Sequence, residues 1–335
     1  MHIAVIGGSG FIGTKLISYL LGDKKISSVK NLDTAQSDLH SELTKIVDVL
    51  DTKSLQQELK GVDLVVLLAA EHTDDVSPHS LYYKVNVEGM RSTLQAMQAN
   101  GVSRLIFTST VAIYGLDKDS PSEDSPADPF NHYAKSKWQA EGVLKAWQKE
   151  HADWNINIIR PSVIFGEGNR GNVYNLLRQI SSGKFVMIGK GDNKKSMSYV
   201  GNVVAFIHFL MYHKPKGVNI YNYADKPDLT TNQIVQHASA VLSRKLPSWR
   251  IPFSLGMLVG YGFDLLAFVL KKKLSISSVR VKKFCAVTTY DSTRAMSTGF
   301  TPPYSLEQGL ERMLEEEFRV NNLSDGMSEL IYTKN

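Results

Sequence analysis

The stretch His2-Ile3-Ala4-Val5-Ile6-Gly7-Gly8-Ser9-Gly10-Phe11-Ile12-Gly13 decides the fold. Its first five residues form a strand-like run, and Thr14-Lys15-Leu16-Ile17-Ser18-Tyr19-Leu20 continues with the apolar spacing of a helix. Glycines at a strand-to-helix junction let the backbone turn tightly, approach a pyrophosphate closely and aim helix N–H groups at its charge. Gly7, Gly10, Phe11, Ile12 and Gly13 are therefore candidate contacts for a dinucleotide. A second strand-like run, Val29-Lys30-Asn31-Leu32, ends at Asp33. A carboxylate there hydrogen-bonds ribose hydroxyls and repels a 2′-phosphate, which favours NAD over NADP.

Strand and helix signals keep alternating after this unit. Residues 45–49 read as a strand, 54–60 as a helix, and 62–70 as the mostly apolar run of a central parallel strand. A helix over 80–100 is stopped by Gly101; a strand follows over 104–110, a helix over 131–150, and a strand over 156–159 that ends at Arg160-Pro161. This alternation implies an α/β fold, a Rossmann-type doubly wound parallel sheet, over residues 1–165, with a later strand contributed from about 200–225. The pattern loosens beyond Gly166. Residues 166–320 read as a smaller, interleaved C-terminal substrate-binding domain, and 321–335 as a loose tail.

Composition narrows the class. A chain of 335 residues with 43% hydrophobic and 21% charged residues suits a globular enzyme, and a net charge of +5 suits an anionic substrate. No basic run interleaved with aromatics points to nucleic acid. Cys285 is the single cysteine, so an internal disulfide is excluded and a reducing compartment is expected. No HExxH and no Cys/His cluster predicts a metal. The first strand starts at residue 2, which predicts a cytoplasmic protein without a leader. The apolar stretch from Phe253 to Leu270 reads as a buried or amphipathic helix because Asp264 would be costly in a bilayer. Peripheral membrane contact, with Lys271-Lys272-Lys273 facing anionic lipid, is its second reading.

Tyr133 and Lys137 stand one helical turn apart in Tyr133-Ala134-Lys135-Ser136-Lys137. A nearby ammonium favours phenolate and should lower the tyrosine pKa toward the range of general acid–base chemistry. Tyr114/Lys118 and Tyr212/Lys216 share the spacing, but Gly115 and Pro215 spoil a clean helical pair. Thr108-Ser109-Thr110 closes a strand at its carboxyl end, where open α/β sheets bind ligands, and a hydroxyl at Thr110 can hold a substrate oxygen.

These residues resemble the extended short-chain dehydrogenase/reductase superfamily, specifically its NAD-dependent epimerase/dehydratase family, typified by UDP-galactose 4-epimerase. The resemblance runs to about residue 315 and rests on Gly7/Gly10/Gly13, Asp33, Asp48-Val49, Leu68-Ala69-Ala70, Asn86, Thr110, Tyr114-Gly115, Tyr133/Lys137 and Arg160-Pro161. It implies that Asp48 and Val49 hold adenine and that Leu68, Ala69 and Ala70 pass beneath the pyrophosphate and ribose. Asn86 joins the cofactor set. Lys137 grips the nicotinamide ribose, and the segment after Pro161 borders the nicotinamide. The implied reaction is 4-epimerisation of a UDP- or dTDP-linked sugar through a 4-keto intermediate, as in polysaccharide biosynthesis. A nucleotide-4-keto-sugar reductase and a 3β-hydroxysteroid or sterol dehydrogenase remain alternatives. A homodimer paired through the 80–100 and 131–150 helices is also implied.

Departures from the family pattern narrow this further. Val111-Ala112 follow Thr110 where 4,6-dehydratases carry Asp-Glu, so dehydration is disfavoured. Val163 replaces an asparagine of several epimerases, and Lys195-Ser196-Met197 replaces Arg-Asp-Tyr, keeping charge without bidentate geometry. Lys195, Arg280 and Lys282 become the candidate diphosphate contacts, and Asn169, Arg170 and Asn172 the candidate sugar contacts.

Overall fold

Strand β1 (His2–Ile6) lies inside a seven-stranded parallel sheet, with Ile3, Ala4, Val5 and Ile6 all buried. A strand covered on both faces has no use for polar alternation, which is why the run is apolar throughout. This computed structural model describes residues 1–73, 76–213, 215–270 and 277–320. After β1 come α1 (Phe11–Leu20), β2 (Ser28–Asp33), β3 (Thr44–Ile46), α2 (Thr52–Glu58) and β4 (Leu64–Leu67). Helix α3 (Ser80–Tyr83) runs through a π-type turn at Lys84–Glu88 into α4 (Gly89–Ala99), so the single helix expected over 80–100 carries an irregular middle. Strand β5 (Arg104–Thr108), helix α5 (His132–Glu150) and strand β6 (Asn155–Pro161) follow.

The chain then forms β7 (Val163–Phe165), α6 (Asn172–Ser181), β8 (Met187–Ile188), β9 (Lys194–Tyr199), α7 (Val200–Tyr212) and β10 (Gly217–Tyr223). It continues through β11 (Asp225–Thr230), α8 (Thr231–Val241), β12 (Arg250–Ile251), α9 (Phe253–Leu270), α10 (Ser278–Cys285), α11 (Thr293–Met296) and α12 (Leu306–Leu314). The large sheet has the order β10-β6-β5-β4-β1-β2-β3. Val5 of β1 is flanked by Val66 of β4 and Asn31 of β2. The order reverses beside β1, and such switch points are where doubly wound sheets bind ligands.

The residues group into two compact units. The first holds Met1–Ile164, Val200–Ala224 and Tyr290–Pro303. The return of 200–224 places β10 beside β6, with Tyr221 opposite Ile159. The later return is short and lacks periodicity; Asp291 N donates to Pro121 O at 3.2 Å, and Ser292 Oγ donates to Ala224 O at 3.1 Å.

The second unit holds Phe165–Tyr199, Asp225–Thr289 and the described residues from Tyr304 onward. Its strands β9 and β11 pair antiparallel. Both are too rich in lysine, serine and aspartate to announce themselves as strands. Helix α12 starts at a capping box in which Ser305 and Gln308 satisfy each other's backbone N–H groups.

Residues 253–270 are helical as expected, but the helix is not buried. Among its residues only Gly256 and Gly260 are buried, and Phe268 is 82% exposed. Of the two forms expected, a buried or an amphipathic helix, this overturns the buried one, because hydropathy records what a segment would accept and not what covers it. Lys271-Lys272-Lys273 and the tail 321–335 lie outside the described residues.

Helix α12 meets β9 through Gly309, where an added Cβ would lie 2.6 Å from the Tyr199 ring. Replacing Gly309 by Val overpacks this contact and should destabilise the protein by about 1–3 kcal/mol, read as a lower urea midpoint with an unchanged m-value.

Candidate active site

The glycine loop is built by backbone-to-backbone packing. Gly7 has φ +86°, and a Cβ on it would sit 2.3 Å from Ala69 N. A Cβ on Gly13 would sit 2.4 Å from Gly8 Cα, and one on Gly8 would sit 2.3 Å from Asn31 Oδ1. These contacts draw the loop, the start of α1 and the turn after β4 into one cradle. Leu68 N and Ala69 N both donate to Ile6 O, at 2.8 and 2.9 Å, and Leu68, Ala69 and Ala70 stay half-buried. Gly10 differs. A Cβ there meets only Gly7 O, at an ordinary 3.5 Å, so nothing inside the chain forbids a side chain. Its smoothness is available to a group from outside. Gly10 also caps α1 without a side chain, and no acid occupies the first turn that Phe11, Ile12 and Gly13 form. The positive end of the helix is thus left for an anion.

Asp33 ends β2 beside this loop. Its Oδ2 accepts from Ser9 N at 2.9 Å and its Oδ1 from Ala35 N at 3.0 Å. Each oxygen keeps acceptor capacity, which suits the two hydroxyls of a ribose. Asp48 is exposed, with Oδ1 accepting from Leu50 N at 2.9 Å, while Val49 is buried against Gly89. The Asn86 amide faces inward. Its Oδ1 accepts from Glu71 N at 2.9 Å, and its Nδ2 donates to Glu71 O at 3.0 Å and Ser136 Oγ at 2.8 Å. Asn86 therefore serves the cradle by tying the turn after β4 to α5. Pro161 is the buried last residue of β6. Taken together, the loop, Asp33 and the helix end fit a dinucleotide.

The hydroxyl-bearing candidates converge where β5 ends and α5 begins. Thr110 Oγ1 accepts from Ala112 N at 3.1 Å and caps the 3-10 turn Val111–Tyr114. Asn131 caps α5, its Oδ1 accepting from Ala134 N at 2.8 Å, which fixes Tyr133 in the first turn. The Thr110 side chain lies close enough to the Tyr133 phenol to favour its ionised form. Lys137 is 2% exposed; its Nζ donates to Thr108 O at 2.8 Å and lies 4.7 Å from the Phe107 ring centre.

Burial opposes the expected lowering of the Tyr133 pKa by Lys137. Burial pushes the phenol up to about 12, and the Thr110 side chain only partly offsets it. Burial pushes the Lys137 ammonium down to about 7, with Glu141 pulling it back up.

Sequence reasoning missed what lies beneath. Glu141 is one turn beyond Lys137 and fully buried. Its Oε1 accepts from Ser109 Oγ at 2.6 Å and Arg160 Nε at 2.9 Å, and its Oε2 from Arg160 Nη2 at 2.6 Å. Arg160 Nη1 donates to the Tyr114 hydroxyl at 2.6 Å, which donates to Asn222 Oδ1 at 2.7 Å. Arg160 and Tyr114 are thus internal supports. The spacing of Lys137 and Glu141 was the available signal.

In the second unit, Asn169 Oδ1 accepts from Gly171 N at 2.7 Å and Asn172 opens α6. Arg170 is held by Glu317 at 2.7 Å and stacks on Tyr174 at 4.4 Å. Lys195 Nζ donates to Lys283 O at 2.9 Å and Ala286 O at 2.6 Å, and burial pushes its ammonium down to about 8. Arg280 and Lys282 are exposed on α10. The structure brings Lys195 to the end of α10 but commits its ammonium to backbone carbonyls.

Comparison with known proteins follows the same lines. The sequence matches the NAD dependent epimerase/dehydratase family over residues 3–224. It is 55% identical, over 95% of both chains, to N-acetyl-alpha-D-glucosaminyl-diphospho-ditrans,octacis-undecaprenol 4-epimerase of Escherichia coli O157:H7. It is 27% identical to UDP-glucose 4-epimerase of Vibrio cholerae over 96% of both chains. The fold is similar to that of the UDP-glucose 4-epimerase of Thermotoga maritima solved with UDP-glucose, with a TM-score of 0.75, 23% identity and coverage of 96% of this chain and 100% of that one.

Gly13→Ala should displace the loop from Gly8 and weaken NADH binding by about tenfold or more, read by fluorescence titration. Glu141→Gln removes the charge that holds the Lys137 ammonium. The ammonium is then lost at lower pH, so the alkaline limb of the kcat profile should move down by about one unit; an unmoved limb would leave Glu141 a packing role only.

Proposed function

The chain belongs to the NAD dependent epimerase/dehydratase family, and from that membership we propose that it inverts C4 of an N-acetylhexosamine carried through a diphosphate on a polyprenyl lipid. The convergence of Thr110, Tyr133 and Lys137 beside the glycine cradle carries the reading of the chemistry. The cofactor is NAD, which supplies a reversible hydride acceptor whose oxidised ring is positively charged. Tyr133 takes the proton of the 4-hydroxyl as that carbon is oxidised, and returns it when the 4-keto sugar is reduced on its other face. Thr110 holds the oxygen through both steps. Lys137 sets the charge beneath the phenol and, with Thr108 O, the position of its own ammonium. Positive charge around Tyr133 matters because burial alone keeps its phenol protonated.

The turn after Thr110 offers Val111 and Ala112 in place of the acid and base that would expel water, which favours epimerisation over dehydration. The expected UDP or dTDP carrier and the proposed polyprenyl carrier share the sugar diphosphate and differ only beyond it. The lipid carrier is supported by the E. coli O157:H7 relative and by the apolar surface of α9. With such a substrate the enzyme works at a membrane surface.

Tyr133→Phe should cut turnover by about 10²–10⁴-fold while NAD binding stays within about twofold. The carrier is tested by comparing kcat/KM for polyprenyl-diphospho-N-acetylglucosamine and UDP-N-acetylglucosamine, reading the 4-epimer by chromatography. The lipid-linked sugar should be preferred by about tenfold or more; the reverse preference would assign the nucleotide carrier.

A further inference from the structure

We propose that α9 is a monotopic membrane anchor, lying in the plane of one leaflet with its apolar side in lipid and its small, polar side on the second unit. A surface helix of a soluble protein turns its apolar stripe inward and its polar face to water. In α9 the order is reversed. Gly256, Gly260 and Asp264 follow one another at intervals of four and so share a face. That face is the packed one. A Cβ on Gly256 would lie 2.7 Å from Ile188 Cγ2, and one on Gly260 would lie 2.7 Å from Ser278 Cα. Asp264 Oδ2 accepts from Ser278 N at 3.2 Å and from the Ser278 hydroxyl. The single acid of the helix is therefore spent inside the protein. Outside stand Leu258 at 67%, Leu265 at 66% and Phe268 at 82% exposure, with Tyr261, Leu266 and Val269 also exposed.

Contiguous apolar surface on this scale marks a partner, and the surroundings select lipid. Trp249 is exposed just before the helix, and Arg280, Lys282 and Lys283 are exposed on α10, which packs against α9. An aromatic and a set of cations beside an apolar helix match a headgroup layer with anionic lipid. A second copy docked face to face would instead set these cations against their own kind. The helix lies in the leaflet and does not cross it. Strand β12 ends one residue before α9 and pairs with β8, while Ser278 and Val281 cover the Gly256–Gly260 side. A span would place Asp264 and the start of α10 in hydrocarbon.

The lipid-carrier reading explains why an anchor would be useful, and the inference rests on that reading for its purpose but not for its geometry. The test uses the full-length holoenzyme, sedimented with vesicles of phosphatidylglycerol and phosphatidylethanolamine or of phosphatidylcholine alone. The wild type should cosediment, more strongly with the anionic vesicles. Leu258→Ser/Leu265→Ser/Phe268→Ser should cut the bound fraction by about tenfold or more, with an unchanged melting midpoint and unchanged kcat on a water-soluble short-prenyl diphospho-N-acetylglucosamine. Wild-type protein left in the supernatant with both vesicles would overturn the proposal. So would a triple variant that binds like wild type, or a wild-type dimer that ignores vesicles and that the triple change splits. Vesicle binding is read without turnover, so an enzyme that accepts neither carrier would refute the proposed substrate while leaving the anchor to its own result.

Discussion

Glu141 and Arg160 form a buried, two-pronged ion pair, and the ordering of the candidate catalytic corner follows from it. Two charges taken from water are tolerated only when their remaining hydrogen-bonding capacity is met. Here it is met by Ser109, which immediately precedes Thr110, by Tyr114, which closes the turn after it, and through Tyr114 by Asn222 on β10. One pair thereby joins α5, β5, β6 and β10. Removing either partner would leave a buried charge uncompensated, a loss of about 3–5 kcal/mol by analogy with other buried pairs. The same carboxylate raises the Lys137 pKa against the burial that lowers it. Support and chemistry are coupled through a single residue.

The cradle depends on a different constraint, the absence of atoms. Gly7, Gly8 and Gly13 each stand where a Cβ would strike within 2.4 Å. Gly7 thus lets the loop close onto the turn at Leu68–Ala69, Gly8 lets it pack on the Asn31 amide of β2, and Gly13 lets α1 pack on the loop itself. Asn86 then fixes that turn to α5 from the other side. The cofactor cradle and the catalytic corner share α5, so neither is set independently of the other.

What could be read in the sequence was what is local. The glycine spacing, the acid after the second strand and the Tyr133/Lys137 spacing are patterns within one strand–helix unit or one helical turn, and the structure places each on the element its spacing suggests. What could not be read depends on partners distant in sequence. Nothing in Glu141 announces Arg160 on β6, and nothing in Lys195 announces the carbonyls of Lys283 and Ala286. Strands β9 and β11 are too polar to stand out alone, and the return of Tyr290–Pro303 carries no period. For α9 the composition was plain, but hydropathy cannot tell a covered helix from an uncovered one.

Seated in a leaflet as proposed, the outward apolar side of α9 would change what concentration means for this protein. A protein held at a surface searches in two dimensions, and its encounters depend on molecules per area of that surface. Tethering of this kind raises the local concentration of anything confined to the same surface without adding a contact at the active site. For a sugar diphosphate confined to that surface, weak grips would suffice, and Arg170 and Lys195, already bonded within the protein, would not need to supply strong ones.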